Sequence, residues 1–420
     1  MQFIFRGAGR EVGRSCIEVD GTYLLDAGLK ITEHGTEFPS NFGPEKIKAV
    51  FLSHAHLDHT GALPVLNHAG LNCPVYTTRV TRLTTEVLLE DSFHIELITH
   101  LHPGYSKGNI KNVLQNFRDV EYNKIYTINK DMSVQFLDAG HIPGSASILL
   151  TYKKKRILYT GDINWQPTLL LNAASYQLND IDIMITETTY GDRNHPDRKQ
   201  TEDNFLKVIK EVLAKDGSIL LPSFAIGRAQ EMMLLLAREN LDCSMYLDGM
   251  ARKATDLYMS NPAFIKSPAA LQKAKQKVHY ITSDLERKKV LNEKSIIITT
   301  SGMVTGGPVM EYMKMMFFKP NNAILMTGYQ GEGTNGRLLL QEKCAYVDGK
   351  KVRWEGRIEH FDFSAHAGQN ELVAAVKQIK PKILILNHGD EIAIETFSDL
   401  VKGSVKKVYA PKNDEVLEIV

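Results

Sequence analysis

Cysteine is scarce in this chain and widely scattered. Of 420 residues four are cysteine, Cys16, Cys73, Cys243 and Cys344, and none forms a C-x-x-C pair. A disulfide framework and a thiolate zinc site are thereby excluded, so any metal has to be held by histidine and carboxylate. Long apolar runs are also missing. The N-terminus Met1-Gln2-Phe3-Ile4-Phe5-Arg6 lacks a charged lead followed by an apolar stretch, and no segment approaches the length of a membrane span. The expectation is a cytoplasmic protein with no membrane partner. Charge of one sign is not in excess, with 50 Lys+Arg against 49 Asp+Glu. Net charge therefore announces no polyanionic partner, and nucleic acid has to be argued from local features.

What is present is enough chain for two or three domain-sized units, with no low-complexity linker and no internal repeat. Residues 1 to about 190 read as short strands separated by glycine-punctuated turns, among them Ile17-Glu18-Val19, Tyr23-Leu24-Leu25, Ala49-Val50-Phe51-Leu52 and Ile157-Leu158-Tyr159. A helix is expected between about 79 and 101 from the spacing of Val80, Leu83, Val87, Leu88 and Phe93. From about 200 helix and strand alternate. Thr201 is a candidate cap for a helix whose apolar face is Phe205, Val208, Ile209, Val212 and Leu213, and the strand Ser218-Ile219-Leu220-Leu221 follows. Such alternation predicts a parallel sheet flanked by helices. Short strands return after about 343, so the block 193–342 reads as an insert. It carries an excess of basic over acidic residues while the remainder has the reverse, as suits an insert that faces a polyanion.

The chemistry concentrates at His54-Ala55-His56-Leu57-Asp58-His59, delivered by the strand Val50-Phe51-Leu52-Ser53. Four ligand side chains in six positions are too many for one ion. His54 and His56 project to the same side of an extended loop and can chelate one ion, while Asp58 and His59 open a helix and can reach a second. Further ligands should come from distant strand ends, where His141, Asp162 and His388 stand. Each of those three alone reads more readily as a hydrogen-bonded structural residue. The local cluster makes them candidate ligands.

The H-x-H-x-D-H cluster, Gly140-His141-Ile142-Pro143-Gly144-Ser145 and Gly161-Asp162 together resemble the metallo-β-lactamase superfamily, over nearly the whole chain. The resemblance implies an α/β fold, an αββα sandwich, holding two Zn2+ ions. It assigns His54, His56 and His141 to one ion and Asp58, His59 and His388 to the other, with Asp162 bridging. Asp26, in Leu24-Leu25-Asp26-Ala27-Gly28, would orient the histidine loop. The metal motif does not choose a substrate. The insert between Asp162 and His388 resembles the β-CASP branch of nucleic-acid nucleases, whose further motifs match Glu187 in Thr186-Glu187-Thr188-Thr189-Tyr190-Gly191, His366 in Ser364-Ala365-His366-Ala367, and His388 in Asn387-His388-Gly389-Asp390. On this resemblance residues 1–192 and 343–420 form the metallo-β-lactamase domain and 193–342 the inserted β-CASP domain. Histidine at position 388 resembles the RNA-cutting members rather than the DNA-repair members.

Chemically, Glu187 can accept a hydrogen bond from His366 and hold it protonated toward a phosphate, although a structural Glu-His pair is the plain alternative. Asp58, Glu187 and His366 are the candidate catalytic side chains. The small-residue loop Thr299-Thr300-Ser301-Gly302-Met303-Val304-Thr305-Gly306-Gly307-Pro308 is a candidate phosphate site, with Ser301 and Gly302 singled out, or simply a strand-to-helix turn. Lys153-Lys154-Lys155-Arg156 reads as an exposed hairpin turn. Arg252-Lys253 and Arg287-Lys288-Lys289 suit either an RNA path or a solvated helix face, and Tyr190, Phe224 and Tyr329 either stack bases or pack.

The expected function is zinc-dependent hydrolysis of single-stranded RNA to 5′-phosphate and 3′-hydroxyl ends, with internal and 5′-to-3′ stepwise cutting both open. The chain resembles archaeal and bacterial homologues of the cleavage and polyadenylation specificity factor nuclease. It matches a short form without KH domains before Met1, and unlike ribonuclease J it stops soon after His388. A homodimer is a further partner state this branch offers. The competing readings are an inactive RNA-binding subunit, which the complete ligand set disfavours, and a small-ester hydrolase, which the insert disfavours.

Overall fold

The computed structural model describes residues 1–32, 35–40, 42–99 and 104–419. The chain divides into two compact units, one comprising Met1–Pro167, Ala173–Asn194 and Ala365–Val420, the other Thr168–Asn172 and His195–Ser364.

The first unit contains two seven-stranded sheets. One runs, in spatial order, Val416–Glu418, Gln2–Gly7, Cys16–Val19, Tyr23–Leu25, Ala49–Phe51, Val75–Thr78, Phe117–Val120. The other runs Lys407–Tyr409, Ile383–Asn387, Ile183–Glu187, Lys155–Tyr159, Ala146–Tyr152, Met132–Asp138, Ile125–Asn129. Alternation along each strand sends every second side chain inward. Phe3, Phe5, Ile17, Val19 and Phe51 therefore meet Val134, Phe136, Ile148, Ile157, Ile183 and Ile385 in one buried core. The opposite set of residues packs against helices. Leu158, Met184, Leu384 and Leu386 lie under Leu372, Val376, Ile394 and Phe397 of the helices Gln369–Ile379 and Glu391–Val401. Leu24, Val50 and Leu52 lie under Leu63, Leu66 and Val113 of Leu63–His68 and Lys107–Asn116. The result is the expected αββα sandwich.

Parallel pairing decides where the loops emerge. Tyr23–Leu25 pairs in parallel with Ala49–Phe51, and that strand with Val75–Thr78. In the second sheet Lys155–Tyr159, Ile183–Glu187 and Ile383–Asn387 are parallel neighbours, with Ile157 opposite Ile183 and Ile183 opposite Ile383. Asp26, His54, Asp162, Glu187 and His388 therefore all sit at or just beyond the carboxyl ends of parallel strands. The helix that starts at Arg79 is capped by Thr78, which accepts the Thr81 N–H, and it runs to Ile98. His100 and Leu101, the end of the expected helix, lie outside the described residues. Lys153 and Lys154 form the tight turn expected between Ala146–Tyr152 and Lys155–Tyr159, both with positive φ. Among the described residues no helix is long and apolar enough to cross a membrane.

The second unit is a six-stranded sheet in the order His279–Tyr280, Ser244–Leu247, Ser295–Thr299, Ile219–Pro222, Ala323–Met326, Arg357–His360, with every pairing parallel. The alternating pattern expected from about residue 200 is thus met. Its first helix, Arg198–Leu213, is capped by Asp197 rather than Thr201. Thr201 sits one turn inside, its hydroxyl bonded to the Asp197 carbonyl. The unit also extends further than 193–342. Arg357–His360 pairs with Ala323–Met326, and Ala345, Val347 and Trp354 pack into the same core as Ile297, Tyr312 and Ile324, so the short strands after 343 belong here up to Ser364. A second excursion, Thr168–Asn172, also belongs to this unit. The buried Glu231 carboxylate accepts the Leu169 N–H at 2.9 Å and the Leu170 N–H at 2.8 Å.

Candidate metal centre

The strand Ala49–Phe51 is buried on both faces, and past Leu52 and Ser53 the chain releases His54 into a loop closed by the short helix Leu57–Thr60. Four donors gather first. His54 Nε2 lies 3.1 Å from His56 Nδ1, His141 Nε2 lies 3.3 Å from the same atom, and Asp162 Oδ2 is 3.5 Å from His54 and 3.7 Å from His141. The other oxygen of Asp162, Oδ1, faces a second group, 3.4 Å from His59 Nε2 and 3.3 Å from His388 Nδ1. Asp58 Oδ2 stands 3.5 Å from His388 and 4.0 Å from His59. One buried carboxylate therefore turns an oxygen toward each of two imidazole clusters.

This donor set fits metal ions. His59 Nε2, His388 Nε2 and Asp162 Oδ1 are buried with no hydrogen-bond partner among the described residues, which a folded protein rarely tolerates without an ion or water there. Burial, then the neighbouring His59, holds His54 well below the ordinary imidazole range, and burial with His366 does the same to His141. Both are thus neutral with a lone pair to give. His141 donates Nδ1–H to the Ala365 carbonyl at 2.8 Å, which turns its Nε2 toward the cluster. Burial opposes charge on His59, but Asp162, Asp58 and Asp26 outweigh it and lift that imidazole well above its usual range. The concentration of negative charge that does this is also what a cation would neutralise.

Asp26 lies beneath the loop, fully buried, with φ of 60°. It accepts the Ser53 N–H and Ser53 hydroxyl, each at 2.7 Å, and the Tyr159 hydroxyl at 2.6 Å. Its Oδ2 is also 2.7 Å from His59 Nδ1. Ser53 and Tyr159, together with Ser15 at 3.0 Å from the Tyr159 hydroxyl, were not singled out from the sequence. Their part depends on sheet register, although Tyr159, the last residue of the strand that leads into Asp162, is a usable signal.

Glu187, buried at its strand end, meets His366 as expected from their chemistry, with Nδ1 at 2.9 and 3.1 Å from the two carboxylate oxygens. Glu187 also accepts the Ile163 N–H at 2.6 Å, next to Asp162. His366 Nε2 points toward the cluster, 4.0 Å from Asp162 Oδ2. Burial disfavours the imidazolium, but Glu187 and then Asp162 outweigh it and raise its pKa to about 9. Ser301 and Gly302 are in the other unit. There the Ser301 hydroxyl accepts the Thr305 N–H at 2.9 Å within the turn, and the Gly302 carbonyl accepts from Gln330 Nε2 at 3.0 Å. Arg287 of the basic run pairs with buried Asp248.

Family models match three stretches: the metallo-beta-lactamase superfamily over residues 12–213, the Beta-Casp domain over 229–339, and the Zn-dependent metallo-hydrolase RNA specificity domain over 351–411. Among similar proteins, Probable RNase MJ4 of Methanocaldococcus jannaschii is 41% identical, over 93% of this chain and 94% of that one. RNase aCSPSF2 of Saccharolobus solfataricus is 36% identical, over 98% and 84%, and the transcription termination factor FttA of Methanocaldococcus jannaschii is 32% identical, over 99% and 71%. A crystal structure of a protein of unknown function from Enterococcus faecalis shares the fold with a TM-score of 0.58 at 13% identity, over 100% of this chain and 99% of that one. From the resemblance of its sequence, its αββα architecture and relatives aligned over nearly their full length, this chain belongs to the metallo-β-lactamase superfamily, in the β-CASP branch that holds the archaeal ribonuclease homologues.

Proposed function

We propose that this protein is a zinc-dependent ribonuclease that hydrolyses phosphodiester bonds of single-stranded RNA, leaving 5′-phosphate and 3′-hydroxyl ends. The observation that carries the reading is Asp162, whose two oxygens face two separate imidazole clusters with buried acceptor and donor atoms left unpartnered. His54, His56 and His141 would hold one zinc, Asp58, His59 and His388 the other, and Asp162 both. Bound there, two zinc ions supply Lewis-acid activation of water and neutralise charge on the scissile phosphate.

The chain's own groups do the rest. Asp26 fixes the His59 ring and, through Ser53, the start of the ligand loop. Glu187 keeps His366 charged with Nε2–H directed at the cluster, where it donates to a phosphate oxygen or to the departing 3′-oxygen. Water rather than the ribose 2′-hydroxyl attacks, which determines the ends produced. In this division of labour the metallo-β-lactamase residues carry the chemistry and the β-CASP insert guides the strand. The similar proteins are named as ribonucleases and as a transcription termination factor. That agrees with an RNA substrate in processing or decay.

The test is zinc content together with cleavage of a 5′-labelled single-stranded oligoribonucleotide and of its duplex. Wild type should bind close to two zinc ions per chain, cut the single strand and spare the duplex, and Asp58→Ala/His59→Ala should lose both zinc and cutting. Cutting retained in the double variant after chelation, or equal cutting of the duplex, would sink the reading.

A further inference from the structure

Beyond Glu187 the chain turns along the wall that carries His366. Gly191 donates its N–H to the Thr188 carbonyl at 3.0 Å and Arg193 to the Tyr190 carbonyl at 3.4 Å. Two hydrogen bonds fasten this turn to the residues just after His366. The Gln369 N–H reaches the Arg193 carbonyl at 3.0 Å, and Gln369 Nε2 reaches the Gly191 carbonyl at 2.8 Å. Ring contacts make a second link. The Tyr190 ring centre is 5.9 Å from that of His366, and the Arg193 guanidinium carbon lies 4.5 Å from the centre of the same tyrosine ring. One aromatic ring thus touches both the candidate phosphate-facing imidazole and a permanent positive charge.

That charge is available. Arg193 is 50% exposed, and only its Nη1 is engaged, at 3.0 Å from each oxygen of its neighbour Asp192. Among the described residues no acceptor serves Nε or Nη2. An ion pair this exposed is weak and readily shared with another anion. Stacking on tyrosine holds the guanidinium plane still, so little freedom is lost when the open edge takes up a planar pair of acceptors. Within the ribonuclease reading, on which this inference rests, we propose that Arg193 binds a phosphate of the RNA strand next to the one His366 faces, through its Nε–Nη2 edge, with Tyr190 as the platform. A phosphate contact of this kind places the strand without reading its bases.

The experiment is steady-state cleavage of a 5′-labelled single-stranded oligoribonucleotide by the zinc-loaded full chain across a KCl series. It compares wild type with Arg193→Ala, Arg193→Gln, Arg193→Lys and Lys382→Ala. Lys382 is an exposed charge at the start of the strand that ends before His388. Removing the Arg193 charge should raise KM about tenfold with kcat within about twofold. It should also lower the dependence of log kcat/KM on log salt by about 0.7, the loss of one single-strand phosphate contact. Lysine should keep the salt slope and recover KM in part, because it keeps the charge and loses the fork. Lys382→Ala should change neither. An unchanged slope in the Ala and Gln variants, an equal change in Lys382→Ala, or a fall in kcat alone would overturn the inference. Failure of the underlying reading looks different, since wild type itself would then leave the RNA uncut.

Discussion

The imidazole of His366 stands between two carboxylates, Glu187 at 2.9 Å and Asp162 at 4.0 Å. Burial works against its charge, yet the carboxylates prevail and its pKa rises to about 9. A group needed in its protonated form acts below its pKa and is lost above it, so His366 should set the alkaline limb of kcat/KM. Zinc ions held beside it would repel the proton and bring that limb below 9. Glu187→Gln removes the larger of the two attractions and should move the limb further toward acid, read directly from a pH–rate profile. A limb that stays in place would assign it to another group. Asp26 works by a different means, as a buried acceptor for Ser53, Tyr159 and His59. Asp26→Ala removes the acceptor that those donors share, and leaves the Ser53 N–H without one. It should cost about 3–5 kcal/mol in denaturant unfolding and weaken zinc about 10–100-fold against a competing chelator. Unchanged zinc affinity would show that the network supports the fold without aiming the ligands.

Between elements, backbone hydrogen bonds add to the hold that the Asp26 side chain has on the ligand loop. The Asp58 carbonyl accepts the Ser15 N–H at 2.7 Å and the His59 carbonyl accepts the Ala27 N–H at 2.8 Å, which fastens the loop to the residue before Cys16–Val19 and to the turn after Tyr23–Leu25. A Cβ at Gly28 would lie 1.6 Å from the Asp58 carbonyl oxygen, with no flexible side chain to give way. Gly28→Ala should therefore displace Asp58 and His59, costing about 1–3 kcal/mol and most of the second cluster's zinc, measured by unfolding and by metal content. Full zinc occupancy in that variant would show that the loop can shift as a unit. Most of the candidate site was legible in the sequence because its side chains announce themselves by type, most of them at or just past strand ends: His54 to His59, His141, Asp162, Glu187 and His388, with His366 in a loop. What was not legible depends on pairing and on packing from afar. Tyr159 joins Asp26 only through the packing of two sheets. Asp197 wins the helix cap from Thr201 one turn earlier, and both residues suit the position. The strand Arg357–His360 was assigned by its sequence position to the outer domain, and its parallel partner Ala323–Met326 puts it in the insert. Ser301 and Gly302 stay a candidate anion loop, because a turn that satisfies itself and a turn that awaits a phosphate have the same composition.

At the scale of the whole molecule, all of the proposed zinc ligands fall in the first unit, although they are drawn from residues 54 to 388. They come from both sheets of the sandwich, so the ions would tie the two sheets together at the carboxyl ends of their parallel strands. The chain's two tryptophans divide one to each unit. Trp165 lies in the first, edge-on to Tyr176 at 5.5 Å, and Trp354 is buried in the core of the second. Fluorescence in the single-tryptophan variants Trp354→Phe and Trp165→Phe therefore follows each unit separately. Ligand that binds only the folded form stabilises it by about 2.7 kcal/mol at a hundredfold excess over Kd. Chelating zinc should lower the unfolding midpoint seen by Trp165 by an amount of this order and leave the one seen by Trp354 in place. If both midpoints fell together, the ions would be stabilising more than the first unit, and the sheet-to-sheet tie would not be their principal structural role.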